Sequence, residues 1–195
     1  MPFARGNCHV STAEHADPNR RDFLYIATGA AGAVGAALVA WPFIDQMNPD
    51  ASVRALASIE LDIAPIAEGQ GITIKWRGNP VFVRHRTQKE IDDAKAVPVS
   101  DLPDPDARNA NVKEGDPATD ENRVVDGKEK LLVMMGVCTH LGCVPLGQQG
   151  DYGGWFCPCH GSHYDTAGRI RKGPAPQNLP VPKYAYISDT KIRIG

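Results

Sequence analysis

Residues 23–44 carry no charged side chain, and Asp22 and Asp45 bracket the run. At about 1.5 Å per helical residue the stretch reaches roughly 33 Å, enough to cross a hydrocarbon core. Gly29, Gly32, Ala33, Gly35 and Ala36 make this helix smooth, which suits close packing against other membrane helices. Trp41 lies near one end, where an amphipathic ring favours the interface. Beyond residue 58 the pattern changes. Ile72, Ile74 and Trp76 alternate with polar residues, Gly78-Asn79-Pro80 breaks the run, and Val81-Phe82-Val83 resumes it, predicting a hairpin. Thr87 with Glu90 forms a capping box that opens a short helix through Lys95. Residues 101–122 are rich in Pro, Asp and Asn and predict an irregular surface excursion. Leu131 to Met135 is an apolar strand, and Tyr184–Ile187 and Thr190–Ile194 flank Ser188-Asp189 as a closing hairpin. No solenoid-type repeat is present.

This pattern divides the chain into a tail over residues 1–22, a transmembrane anchor over 23–44, a linker over 45–58 and a mostly β domain over 59–195. The linker is small and polar, too short to pack a core. Its plain reading is a passive connection. Arg5, Arg20 and Arg21 precede the span and only Arg54 follows it closely, so the positive-inside rule puts the N-terminus in the cytoplasm and the domain across the membrane. Arg20-Arg21-Asp22-Phe23-Leu24 resembles a twin-arginine export signal. Ala55-Leu56-Ala57 has the form of a cleavage site, but the apolar run is too long for a signal peptide and ends well before it, so a retained anchor is expected. A net charge of −2 argues against a nucleic-acid partner.

The chemistry lies in two short stretches, Cys138-Thr139-His140-Leu141-Gly142-Cys143 and Cys157-Pro158-Cys159-His160-Gly161-Ser162. Cys138 with His140 and Cys157 with His160 offer two thiolates and two imidazoles. That is the donor set of a Rieske 2Fe–2S centre, in which His replaces Cys on one iron. Structural zinc accepts the same four donors, though it gives no role to the matched pair Cys143 and Cys159. Cys8, the isolated member of the five cysteines, needs no partner if it faces the cytoplasm.

Both stretches match without change the pattern of the Rieske iron–sulfur subunit of bacterial ubiquinol–cytochrome c reductase, and the chain resembles that family. Gly153-Gly154-Trp155-Phe156, Gly173-Pro174-Ala175-Pro176 and the N-terminal anchor also match, whereas residues 101–130 match nothing useful. The resemblance implies an antiparallel β-sandwich with a small cluster-binding subdomain at about residues 131–181, held by one transmembrane helix to the bacterial inner membrane with the cluster domain in the periplasm. It implies one 2Fe–2S cluster, with Cys138 and Cys157 on the inner iron and His140 and His160 on the outer. Cys143 and Cys159 are then expected to form a disulfide across the loops. Ser162 and Tyr164 are expected to donate hydrogen bonds toward sulfur, and Gly173 to Pro176 to shield the cluster.

The same resemblance makes Leu141 an exposed docking tip for cytochrome b and the linker a hinge. Its implied activity is electron transfer from ubiquinol to a c-type cytochrome subunit, within a dimeric complex that contributes to proton translocation. His160 is implied as the group that meets the quinol hydroxyl and takes its proton. Arg169, Arg171 and Lys172 are expected to form a solvated face. Rival classes are a Rieske ferredoxin of an oxygenase, which typically lacks the disulfide pair and the anchor, and an arsenite oxidase small subunit, which would differ in its partner. A zinc-stabilised interaction module is the third.

Overall fold

The computed structural model describes residues 19–51, 53, 57–125 and 127–195. Cys8, Arg5, Arg54 and the Ala55-Leu56 part of the cleavage-like triplet lie outside them. Two compact units divide near Asp50.

In the first unit, helix α1 spans Arg20–Asp45, three residues earlier than the uncharged run. Asn19 explains the start: its side chain accepts from the backbone of Arg21 at 2.8 Å and of Asp22 at 3.0 Å, while the Asp22 carboxylate accepts from the backbone of Asn19 at 2.9 Å. None of the helix's side chains is buried, and Phe23, Ile26, Leu38 and Trp41 are all widely exposed. An apolar surface of that extent requires lipid or other helices around it.

The second unit holds three antiparallel sheets. β2 (Gly71–Trp76), β3 (Asn79–His85) and β4 (Leu131–Met135) form the first. The hairpin turns through Arg77 and Gly78, both at positive φ (48° and 83°), so Asn79 and Pro80 belong to the strand rather than the break. Beside that turn, Ala57 is held fast. Its carbonyl accepts from the Trp76 indole at 3.0 Å and the Arg77 guanidinium at 3.1 Å, and Arg77 stacks 4.7 Å over the Trp76 ring.

β1 (Ile59–Asp62), β10 (Lys191–Ile194) and β9 (Tyr184–Ser188) make the second sheet. The third joins β5 (Leu146–Gly147), β6 (Gly153–Cys157), β7 (Ser162–Asp165) and β8 (Ile170–Lys172). Four of the five residues of β4 are buried, which accounts for its unbroken apolar run. Val81, Met134, Tyr164, Ile170, Ile192 and Ile194 draw all three sheets into one core. Helix α2 (Gln88–Lys95) starts at the expected Thr87–Glu90 box and buries Ile91 and Ala94.

Two sequence expectations need correction. Residues 101–122 are irregular but not superficial: Leu102, Asp104, Ala107, Ala118 and Asp120 are buried. A composition rich in Pro and Asp reports the lack of regular backbone bonding, and here side chains supply it instead. The Asn178 amide donates to the carbonyls of Asp104 at 3.0 Å and Asp106 at 2.8 Å, and Arg86 pairs with Asp120 at 2.5 Å. Arg169 is likewise no part of a solvated face. It is fully buried against Asp165, with further bonds to the carbonyls of Ala118 at 3.0 Å and Ala94 at 2.8 Å. Arg171 is half-buried and Lys172 exposed.

Candidate metal centre

The two cysteine–histidine loops share one local design. In the first, the Gly142 N–H donates to the Cys138 carbonyl at 3.0 Å; in the second, the Gly161 N–H donates to the Cys157 carbonyl at 3.0 Å. Both glycines sit at positive φ, 82° and 75°, a conformation that side-chain-bearing residues adopt at a cost. Each chain reversal therefore starts at one of the four candidate donors. The first loop follows β4, and the second joins β6 to β7.

Depth sorts the four donors into two kinds. Cys138 and Cys157 are buried, each 2% exposed. Burial pushes the Cys157 thiol up, so its anion is stable there only beside a cation. His140 and His160 lie outward, their rings edge to face with centroids 4.6 Å apart, and His160 is the more exposed. Two buried soft thiolates with two imidazoles nearer the surface fit a cluster whose irons differ in ligand type.

Cys143 and Cys159 form a disulfide between the loops. The sulfurs of Cys143, Cys157 and Cys159 lie within 4.8 Å of one another, but the disulfide removes two of them from metal binding. Around the thiols, the Tyr164 hydroxyl lies 3.3 Å from Cys138 Sγ, and Tyr164 is itself fully buried. Ser162 Oγ accepts from the Ala175 N–H at 3.2 Å, which leaves its own proton to donate. Gly173 passes so close to Gly161 and Ser162 that no Cβ would fit there. The Gly173–Pro176 loop thus lies directly against the second cysteine loop. Leu141 projects at the tip, 72% exposed, with Val144 also exposed.

Sequence reasoning missed Thr139. Its hydroxyl donates to the Gln177 carbonyl at 2.7 Å and accepts from the Gln177 N–H at 3.3 Å, tying the first loop to the segment after the prolines. Only its place between two donors could have flagged it. Asn178 and Arg123, both buried, carried no pattern at all.

Comparison with known proteins defines the class first. Residues 94–185 match the Rieske [2Fe-2S] domain, and residues 10–50 match the family described as the "Ubiquitinol-cytochrome C reductase Fe-S subunit TAT signal". The ubiquinol-cytochrome c reductase iron-sulfur subunit of Bradyrhizobium diazoefficiens is 58% identical over 95% of this chain and 100% of its own length. That of Rhodospirillum rubrum is 58% identical over 96% and 97%, and that of Cereibacter sphaeroides 54% over 95% and 100%. A solved chain described as "Hyperthermophilic respiratory Complex III" superposes with a TM-score of 0.50 at 25% identity, covering 86% of this chain and 98% of that one. The chain belongs to the family of ubiquinol–cytochrome c reductase iron–sulfur subunits, and its cofactor is a Rieske 2Fe–2S cluster.

Proposed function

We propose that Cys138 and Cys157 hold one iron and His140 and His160 the other, and that this subunit carries electrons from ubiquinol at cytochrome b to a c-type cytochrome. The sorting of donors by depth is the observation that carries the reading: the thiols are buried, His140 is half-buried and His160 exposed. When bound, the cluster supplies a one-electron acceptor whose potential is raised by neutral imidazoles in place of thiolates.

The chain's own side chains do the rest. His160, the more open ring, accepts a hydrogen bond from the quinol hydroxyl at its outer nitrogen and holds the proton. Leu141 enters an apolar surface of cytochrome b. The Cys143–Cys159 disulfide keeps the loops together, and Gly173, Pro174, Ala175 and Pro176 keep water from the inner side, with Ala175 only 4% exposed. Pro174 and Pro176 stiffen that wall by fixing φ.

The tail (1–22) lies in the cytoplasm, residues 23–44 cross the inner membrane, residues 45–58 act as a hinge, and the domain from 59 works in the periplasm of a dimeric complex. Three arginines before the span and the twin-arginine-type family match support this orientation. The zinc alternative conflicts with the Rieske match.

Histidine labelled with ¹⁵N tests the ligand set. The EPR-active reduced protein is expected to show nitrogen couplings from two imidazoles, one of them lost in His160→Ala. Fewer than two couplings in the unaltered chain overturns the assignment.

A further inference from the structure

Arg123 is wholly buried, yet among the described residues its hydrogen bonds all go to backbone carbonyls and none to a carboxylate. Its Nε donates to the Ala167 carbonyl at 3.0 Å, and its Nη1 to that of Ala107. Nη2 donates to Leu179 at 2.6 Å and, more weakly, to Gly168 at 3.5 Å. The other two fully buried arginines differ. Arg86 faces Asp120 and Arg169 faces Asp165, so each has its own anion.

A buried cation without a paired anion is costly unless its donors are fully used. Burial draws the Arg123 pKa down to about 10, so it still carries its charge at neutral pH. What the guanidinium gains is a junction. Its acceptors lie on three separate segments: the irregular arm (Ala107), the turn between β7 and β8 (Ala167, Gly168) and the stretch leaving the proline loop (Leu179). Only a planar fork with several donors can join all three.

From that junction the backbone runs back through Asn178 and Gln177 to the redox site, pinned by hydrogen bonds at each residue. The Leu179 N–H donates to Gly168 at 2.9 Å. Asn178 donates its backbone N–H to the Asp104 carboxylate at 2.9 Å and accepts from the Ile170 N–H at 2.8 Å. Gln177 exchanges its two bonds with Thr139. The Thr139 N–H in turn reaches the Tyr164 hydroxyl at 3.4 Å, and Ala175 holds Ser162.

We infer that Arg123 is a positioning residue for the redox centre: by gripping Leu179 and the β7–β8 turn it seats the proline loop, and so fixes where the hydroxyls of Thr139, Ser162 and Tyr164 lie. The inference rests on the ligand assignment proposed above. It gives residues 101–125 a role as well, since this arm supplies both the arginine and one of its acceptors.

The test uses the full-length chain in its membrane complex. Arg123→Lys keeps the charge but loses the fork, and Arg123→Met loses both. Asn178→Asp removes the amide that donates to the Asp104 and Asp106 carbonyls, loosening the same stretch one residue before Leu179, and serves if Arg123→Met does not accumulate. Ile192→Ala, in the β1–β10–β9 sheet and outside the hydrogen bonds named above, serves as the control for a general loss of thermal stability. At full iron loading, Arg123→Lys and Asn178→Asp are expected to lower the midpoint potential and alter the reduced-state EPR line shape, because the Tyr164 hydroxyl beside Cys138 Sγ and the neighbouring hydroxyls are no longer held in place. Ile192→Ala should lower Tm and move neither. In a Thr139→Val background the effect of Arg123→Lys should largely disappear.

A wild-type midpoint and spectrum in Arg123→Lys and Asn178→Asp, with only Tm reduced, would make Arg123 a scaffold residue and overturn the inference. An undiminished shift in the Thr139→Val background would overturn it too. Failure of the ligand assignment is read separately, from the nitrogen couplings of the unaltered protein.

Discussion

The phenolic oxygen of Tyr164 lies 3.3 Å from Cys138 Sγ inside the protein. Burial, reinforced by that contact, pushes the phenol well above its ordinary pKa of 10.0. Tyr164 therefore keeps its proton throughout the neutral and mildly alkaline range. With Cys138 as a ligand, as proposed, its thiolate has no proton to give and the phenol is the donor. Reduction adds negative charge on the acceptor side and strengthens the bond. A hydrogen bond to a charged group is worth about 1.5–3 kcal/mol, and about 1.4 kcal/mol corresponds to 59 mV for one electron. Tyr164→Phe should lower the midpoint by at most roughly 60–130 mV in a potentiometric titration. Because the phenol stays protonated, the wild-type potential should show no break from this group between about pH 7 and 10.

Ser162→Ala should act in the same direction within the same ceiling. Its hydroxyl accepts from Ala175, so the substitution also frees one anchor of the proline loop. If Ser162 and Tyr164 address different sulfurs, the double variant's fall should be close to the sum of the single ones. An unchanged potential in Ser162→Ala at full cluster loading would confine Ser162 to holding the loop.

Cys143→Ser or Cys159→Ser leaves all four proposed ligands in place. The bridge spans a sequence separation of 16 residues. Closing a loop of that size is worth about 3 kcal/mol in the chain-entropy model. Lower thermal stability, faster cluster loss and a lower potential are expected. Calorimetry and iron analysis of the exported protein measure the first two.

Gly154→Ala should be far more damaging than its size suggests. A Cβ there would run into the backbone of Asp165 and Tyr164 on the paired strand, which cannot turn aside as a side chain can. Overpacking of this kind costs about 1–3 kcal/mol or more, and here it falls on the β6–β7 pair that carries the second loop. Loss of the EPR signal with the chain still present in the membrane is the expected outcome.

Several prolines inserted between Asn48 and Ala57 should slow quinol-to-cytochrome c turnover while the EPR spectrum stays native. Proline fixes φ and restricts rotation of the linker. Full turnover with such an insertion would return the segment to a passive connection.

What could be read from the sequence, and what could not, follows from the range of the interactions involved. The long apolar helix, the Thr87–Glu90 cap and the apolar β4 are written in neighbouring residues, and the structure shows each of them. The cysteine–histidine stretches were legible because donor spacing is local. The arm at 101–125 was not. Its irregular backbone was evident, but its burial depends on Arg123, Asn178 and Arg86, whose partners lie tens of residues away. Arg169 failed for the same reason: a charged side chain beside Arg171 and Lys172 suggests solvent, and only the fold brings the carbonyls of Ala118 and Ala94 to it. Thr139 stood in plain view within the motif, yet its partner Gln177 could not be known without the path of the proline loop.

The grip of Trp76 and Arg77 on Ala57 gives the linker a definite far end. Under the proposed hinge role, the leash is at most the segment between the end of α1 at Asp45 and Ala57. At full stretch it reaches roughly 40 Å, with about 3.3–3.6 Å per residue. The domain therefore searches for its partners inside a small volume, as a tethered reactant at high effective concentration rather than a diffusing one. Releasing Ala57 would lengthen the leash by only a few residues, and encounter probability falls slowly with tether length. Stiffness of this segment, rather than its length, is then the property that governs how often the domain changes partner.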